Sequence, residues 1–376
     1  DKERSENAEI PTPVKLVDEM LSRINSDIFE NLSKTFEPCC GKGNFVIGIF
    51  DKYIEGLYNK YDNKEQLCQD IIEKCLYFGD LEPNNVFLTK QLLICHAQSY
   101  TGIRNTNYKF NSFVGNTLEL DILEEWSVSG FDAIISNPPY QEKNINGKTK
   151  QGKNKLYSKF ILKDLHRLNK DGILCYVTPS SWFTGNMSIY NDIMNYNLSV
   201  LNIDDVNKKY FPDIGYELCY YIIINNEYKG TTIEGPNETF KYIFKDKKNR
   251  KIMPVKCTKK NINLLDKILM IEYNNFKYIK DINLKRDDDN NINKYKITDF
   301  NSKNKILFTD KIIKQNYSKK LVIYEICKEL DIKYFNYNIY SGNHTFYIDI
   351  ENDEYGLFLE KWFKTELFNK LYLITK

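Results

Sequence analysis

Over roughly its first 225 residues the chain alternates short apolar runs with amphipathic stretches. That alternation limits the fold more than any other feature, because a β-α-β-α order favours a parallel sheet covered on both faces by helices. Thr12 and Pro13 open a helical pattern, with Val14, Val17, Met20, Leu21 and Ile24 on one face. Thr12 suits an N-cap and Pro13 the first turn. The short strand Thr35-Phe36 runs into Glu37-Pro38-Cys39-Cys40-Gly41-Lys42-Gly43-Asn44, with a helix from about Phe45. Another helix is expected from about Lys64. The strand from Cys75 to Phe78 ends at Gly79-Asp80-Leu81-Glu82-Pro83, and Tyr108 to Val114 ends at Gly115-Asn116. Phe131 to Ser136 reads as a buried strand, Leu156 to Leu168 as a helix, and Gly172 to Thr178 and Glu217 to Asn225 as further strands. The expected architecture is α/β: a doubly wound, mostly parallel sheet with an added hairpin.

Beyond about Tyr228 the texture changes to short β-like pieces among Asn- and Lys-rich loops, with a helix near Ile262 to Ile271. A second, mixed α+β domain is therefore expected over 229–376, after a first over 1–228. Its last segment carries an apolar stripe of Leu359, Trp362, Phe363, Leu367, Phe368 and Leu371, which reads as core packing.

The stretch that points to chemistry is Asn137-Pro138-Pro139-Tyr140, directly after the buried strand. In open α/β sheets, ligands bind at the carboxyl ends of strands. Two consecutive prolines remove two backbone donors and hold Asn137 away from helical geometry. The result is a stiff turn with outward carbonyls, an amide on one side and an aromatic ring on the other. Such a turn can accept hydrogen bonds from an amino group while stacking a flat ring. Upstream, the glycine loop lacks the Gly-Lys-Ser/Thr ending of a P-loop and does not fit G-x-G-x-x-G, so its ligand need not carry phosphates. Glu37 stands at a strand end, placed to bind an ammonium or order a water. Asp80 has the position used to hold a ribose diol, although a helix cap is its simpler reading. Asn116 could meet the edge of a purine ring. Together these describe a cleft for one ligand that joins an amino acid to a nucleoside, which S-adenosylmethionine does.

The ordered motifs from residue 9 to about 225 resemble the amino-group DNA methyltransferases of restriction–modification systems, in particular the adenine-N6 enzymes of the gamma order. Glu9-Ile10-Pro11-Thr12-Pro13 with Leu16-Val17 is similar to the family's N-terminal cofactor motif, and Glu37 to Phe45 to its glycine loop. Gly79 to Pro83 is similar to the ribose-binding motif. Gly115-Asn116 falls where the family usually has Asp. Asn137 to Tyr140 is similar to the catalytic motif, Pro179 with Trp182 to a later supporting one, and Phe211-Pro212 falls where an aromatic faces the flipped base. The resemblance implies S-adenosylmethionine contacts from Thr12, Pro13, Glu37, Pro38, Cys39, Gly41, Gly43, Asn44, Asp80, Leu81, Asn116, Thr117 and Asn137. It implies catalytic roles for Asn137, Pro138, Pro139, Tyr140 and Phe211. The Asn137 side-chain oxygen and the Pro138 carbonyl would accept the two amino hydrogens, with Tyr140 stacked on one face of the base and Phe211 over the other. It also implies a C-terminal target-recognition domain, double-stranded DNA as partner, and a cognate restriction endonuclease acting at the same site.

Global charge does not announce a nucleic-acid partner, since the formal net charge is only +2. Local charge offers two candidates. One is the loop with Lys143, Lys148, Lys150, Lys153 and Lys155; the other is the run from Lys241 to Lys260, where nine basic residues face one acid, Asp246. The nine scattered cysteines include no C-x-x-C pair, which suits a reduced, cytoplasmic chain, nucleoid-associated through DNA. With three His, a metal-centred mechanism is not expected. No apolar run approaches the ~20 residues of a membrane span, and no signal peptide is evident. The chain opens on Asp1 rather than Met, so missing ends are expected. A monomer is the default expectation. A fused nuclease occurs in the family, but no convincing Pro-Asp…(Asp/Glu)-x-Lys constellation is present, so a methylase alone is expected. N4-cytosine methylation, methylation of a glutamine side chain or an RNA base, and a non-catalytic recognition subunit remain the rival readings.

Overall fold

The structure, a computed structural model, describes residues 11–141, 155–183, 189–215, 217–243, 257–263 and 353–365, together with the strand backbones between the last two segments. Two compact units divide the chain, 1–252 and 253–376.

The first unit is built on a nine-stranded sheet in the order β3-β2-β1-β4-β5-β7-β6-β8-β9. Its strands are β1 (Thr35–Glu37), β2 (Leu76–Asp80), β3 (Asn111–Val114), β4 (Phe131–Ser136), β5 (Leu168–Pro179), β6 (Asn197–Asn202), β7 (Leu218–Ile224), β8 (Thr231–Glu234) and β9 (Thr239–Tyr242). The five strands from β3 to β5 are mutually parallel, whereas β7 runs antiparallel to both β5 and β6. This is the mostly parallel α/β sheet expected, with the antiparallel addition at its far side. β8 pairs parallel with β6 and β9 antiparallel with β8. The first unit's sheet therefore runs past residue 228, to Tyr242.

The helices are α1 (Val14–Ser22), α2 (Asn44–Leu57), α3 (Lys64–Asp70), α4 (Pro83–Thr101), α5 (Ile122–Trp126), α6 (Leu156–Leu165), α7 (Ile189–Ile193) and α8 (Val206–Tyr210). α1 buries Leu16, Val17, Met20 and Leu21; of the expected face Val14 is exposed and Leu16 is buried instead, and the N-cap is Pro13 rather than Thr12. α6 ends at Leu165, three residues short of the expected Leu168, because β5 has already begun to pair there with Phe131. The central strands are covered on both faces, so their sequences read as continuous apolar runs rather than alternations. In β7, Leu218 to Ile223 are all buried. Phe36, Ile134, Leu174 and Tyr221 are fully buried across the sheet, and each such side chain contributes about 1.5–3 kcal/mol by leaving water.

In the second unit the described strands form an antiparallel sheet, β10-β15-β13-β14, and a separate hairpin, β11-β12. They are β10 (Ile279–Lys280), β11 (Tyr295–Asp299), β12 (Lys305–Thr309), β13 (Lys320–Tyr324), β14 (Asp331–Phe335) and β15 (Thr345–Asp349). Helix α9 (Asp353–Phe363) packs on β14 and β13. Its Glu360 Oε2 accepts from the Tyr334 backbone N–H at 3.1 Å. Gly356 lies against the Tyr334 ring so closely that an added Cβ would stand 2.3 Å from a ring carbon. Of the C-terminal stripe, Leu359 and Phe363 are buried but Trp362 is exposed; Leu367, Phe368 and Leu371 lie outside the described residues. The chain is helical over 259–263, and the rest of the helix expected there also lies outside them.

Candidate active site

Strand order reverses between β1 and β4, and a cleft of about 630 Å³ opens at the carboxyl ends of the strands around that point. Such a volume suits a ligand the size of a nucleoside cofactor. It lies wholly within the first unit, lined by the N-terminal segment, the loops after β1 to β4, and α6.

The floor is the loop after β1. Gly43 holds φ +87° at the start of α2, a left-handed backbone that L side chains rarely adopt. Asp80, at the end of β2, accepts from the Gly41 N–H at 2.9 Å through one oxygen. Its other oxygen accepts from Glu82 N–H at 2.9 Å and Asn85 Nδ2 at 3.1 Å. Asp80 thus both braces the glycine loop and begins the turn into α4. A second brace comes from Thr117, whose hydroxyl donates to the Pro38 carbonyl at 2.9 Å. Asn116 is exposed in the cleft; it donates to Glu119 Oε1 at 2.7 Å and accepts from Leu118 N–H at 3.2 Å.

Beneath this floor lies Glu37, 1% exposed. Its Oε1 accepts from Ser136 Oγ at 2.5 Å and from the Cys39 N–H at 2.9 Å. Its Oε2 is buried and finds no hydrogen-bond partner among the described residues. Burial raises the carboxyl from its ordinary 4.5 to about 8; the two hydrogen bonds oppose the rise, and Asp80 and Asp164 add to it. Glu37 is therefore a neutral acid at pH 7 and does not line the cleft, which differs from the expected ammonium ligand.

Next to it runs a buried ionic network. Arg167 donates to Asp164 Oδ1 at 2.9 Å and to the Thr117 and Leu120 carbonyls at 2.8 and 2.7 Å. Tyr176 donates to the other Asp164 oxygen. Arg167 so ties the loop after β3 to the end of α6. Nothing in the sequence marked it, because its carbonyl partners lie 47 and 50 residues away.

Asn137 to Tyr140 stand on the cleft wall. Asn137 donates through Nδ2 to Thr12 Oγ1 at 3.0 Å, and its Oδ1 accepts from Tyr140 OH at 2.7 Å. Tyr140 also meets Tyr157 edge to face, ring centres 6.3 Å apart. Of the expected site residues, the cleft brings together Thr12, Pro38, Cys39, Gly41, Asn44, Asp80, Leu81, Asn116, Thr117 and Asn137 to Tyr140. Pro13, Glu37, Gly43 and Phe211 do not line it. Phe211 is buried just after α8, its N–H bonded to the Asn207 carbonyl. Lys155 turns inward: Nζ donates to Ser181 Oγ at 2.6 Å, and burial lowers its affinity for the proton. Lys143, Lys148, Lys150 and Lys153 lie outside the described residues. Sequence reasoning missed Leu156, Lys159 and Phe160, which line the cleft from α6. Their i, i+3, i+4 spacing was the available signal.

Residues 74–211 match a family model described as the Eco57I restriction-modification methylase. The chain is 34% identical over 119 residues to modification methylase CviBIII of Paramecium bursaria Chlorella virus NC1A, covering 28% of this chain and 31% of that protein. It is 31% identical over 115 residues to an uncharacterized adenine-specific methylase of Mycoplasma pneumoniae, covering 29% of this chain and 26% of that protein. The matches thus span about a third or less of these curated relatives. A solved structure of a nuclease-deletion mutant of the Type ISP restriction-modification enzyme LlaGI, in complex with a DNA substrate mimic, superposes over 97% of this chain and 44% of its own, with a TM-score of 0.64 at 11% identity. That likeness concerns the fold. The sequence resemblance to restriction–modification methylases is borne out. Among the described residues, no helix is long and apolar enough to cross a membrane.

Proposed function

We propose that this chain binds S-adenosylmethionine in the cleft and methylates N6 of an adenine flipped out of duplex DNA. The observation that carries the reading is the convergence of Asn137-Pro138-Pro139-Tyr140 with the glycine loop, Asp80 and Asn116 around one cleft. The donor set fits the cofactor: an acid and an amide at consecutive strand ends, glycine backbone between, and no phosphate cradle. Asp80 and Leu81 would hold its ribose, Asn116 and Thr117 its adenine, and the loop from Pro38 to Asn44 its amino-acid end.

When bound, S-adenosylmethionine supplies an electrophilic methyl group on a sulfonium. The chain's task is to present a nitrogen to it. The lone pair of an exocyclic amine is delocalised into its ring, so the site must localise it. Asn137 Oδ1 and the Pro138 carbonyl accept the two amino hydrogens, which draws the nitrogen toward tetrahedral geometry and spreads its developing charge. An amide oxygen has two acceptor positions. No strong base is required, because the cationic nitrogen left after transfer would shed its extra proton to water. Tyr140, adjoining the amide, offers its ring to the base, and fixed alignment supplies much of the remaining acceleration. Within a duplex the amino group is paired, so the base must be flipped at a cost of a few kcal/mol. Phosphate contacts from Lys143, Lys148, Lys150 and Lys153, from the 241–260 run and from the second unit as target-recognition domain would offset it. The names of the relatives, one of them adenine-specific, support the choice of adenine.

The test is transfer of labelled methyl groups from S-adenosylmethionine to duplex DNA of mixed sequence, beside Asn137→Ala. The reading expects label on DNA from the wild type, a loss of at least about a hundredfold in the variant, and cofactor affinity largely kept. Cofactor bound with no transfer to any DNA would favour the recognition-subunit reading instead.

A further inference from the structure

Resting on that reading, we propose that Thr12 is a positioning residue for methyl transfer, because its hydroxyl orients the Asn137 side-chain amide. Asn137 can serve as acceptor only if its oxygen, not its nitrogen, faces the incoming amino group. A primary amide can present either end by rotating about its last side-chain bond. The structure holds one choice. Thr12 Oγ1 stands 3.0 Å from Asn137 Nδ2, and the Tyr140 hydroxyl donates to Oδ1 at 2.7 Å. With the amide reversed, both hydroxyls would have to exchange roles, Thr12 donating to Oδ1 and Tyr140 accepting from Nδ2.

Thr12 is itself fixed. It is buried, and its carbonyl accepts from Asn44 Nδ2 at 2.7 Å. Pro13 follows in extended geometry, and its carbonyl accepts from the Leu16 and Val17 N–H groups as α1 begins. Thr12 is thus held between the first turn of α2, through its carbonyl, and the turn after β4, through its hydroxyl. The separation along the chain is 125 residues. Sequence reasoning gave Thr12 a helix cap and a cofactor contact; the cap position falls to Pro13, and the geometry gives the Thr12 hydroxyl this task, which acts on turnover rather than on cofactor affinity.

The test compares Thr12→Val, which keeps the shape and loses the hydroxyl, with Thr12→Ser, which keeps it. Full-length wild type and variants are assayed for methyl transfer from labelled S-adenosylmethionine to mixed-sequence duplex DNA, with kcat and the cofactor KM separated. The thermal midpoint of each is measured alongside. The expected result is a fall in kcat of about tenfold in Thr12→Val, a cofactor KM within about twofold of wild type, and recovery of most of kcat in Thr12→Ser at matched thermal midpoints. A Thr12→Val enzyme with unchanged kcat and a raised KM would overturn the inference and leave Thr12 a cofactor contact. A Thr12→Ser enzyme as slow as Thr12→Val would overturn it too, since the methyl group and not the hydroxyl would matter. A wild type that methylates no DNA would sink the underlying reading, and the inference with it.

Discussion

Replacing Glu37 by Gln should change the pH dependence of stability more than the stability itself at mild acid pH. The native carboxyl titrates near 8 rather than 4.5, chiefly because it is buried. The folded chain therefore keeps a proton that the unfolded chain loses, over the whole window between those values. Stability falls as pH rises wherever the folded state binds more protons than the unfolded one. The stabilisation held below about pH 4.5 is thus lost progressively up to about pH 8, at ~1.4 kcal/mol per pH unit, or ~5 kcal/mol in all. Gln does not titrate, and its Oε1 can still accept from Ser136 and Cys39. The Gln variant should resemble the protonated wild type at every pH. The difference in unfolding free energy, variant minus wild type, should then grow by ~3 kcal/mol between pH 5 and pH 7 and level off above about pH 8. Urea unfolding at a series of pH values measures it. Tryptophan emission reports the first unit if Trp362→Phe is the common background, since Trp126 and Trp182 are the other two of the three tryptophans. A difference that stays constant from pH 5 to pH 8 would refute the buried, neutral acid.

Arg167→Met should destabilise the first unit by about 3–5 kcal/mol, because it strands Asp164 without its buried partner; denaturant midpoints measure this. Because Arg167 also holds the Thr117 and Leu120 carbonyls, the same variant should weaken cofactor binding several-fold by calorimetry. Gly356→Ala drives a methyl group into the Tyr334 ring. It should cost the second unit about 1–2 kcal/mol despite the better helix propensity of Ala, seen in Trp362 emission.

The α/β order and the strand ends at Asp80, Asn116 and Asn137 were legible because buried parallel strands write themselves as apolar runs, and ligand-facing loops follow them. Less legible was anything set by pairing between distant segments. Periodicity told that α6 existed but not that its 156/159/160 face would form a cleft wall. Polar texture after Tyr228 suggested a domain change, yet Ile233 of β8 is fully buried in the same sheet. The Thr12–Asn137 hydrogen bond and the Arg167 network depend on contacts that no local pattern encodes. Glu37 was visible as a strand-end acid, but whether it faces a ligand or the core beneath a loop is decided by packing.

The most direct test is nucleoside mass spectrometry of digested DNA after incubation with isotopically labelled S-adenosylmethionine. The account predicts labelled N6-methyladenine from the wild type and none from Asn137→Ala. Labelled N4-methylcytosine would contradict the choice of base. Label absent from DNA but present on protein or RNA would contradict the claim that DNA is the substrate.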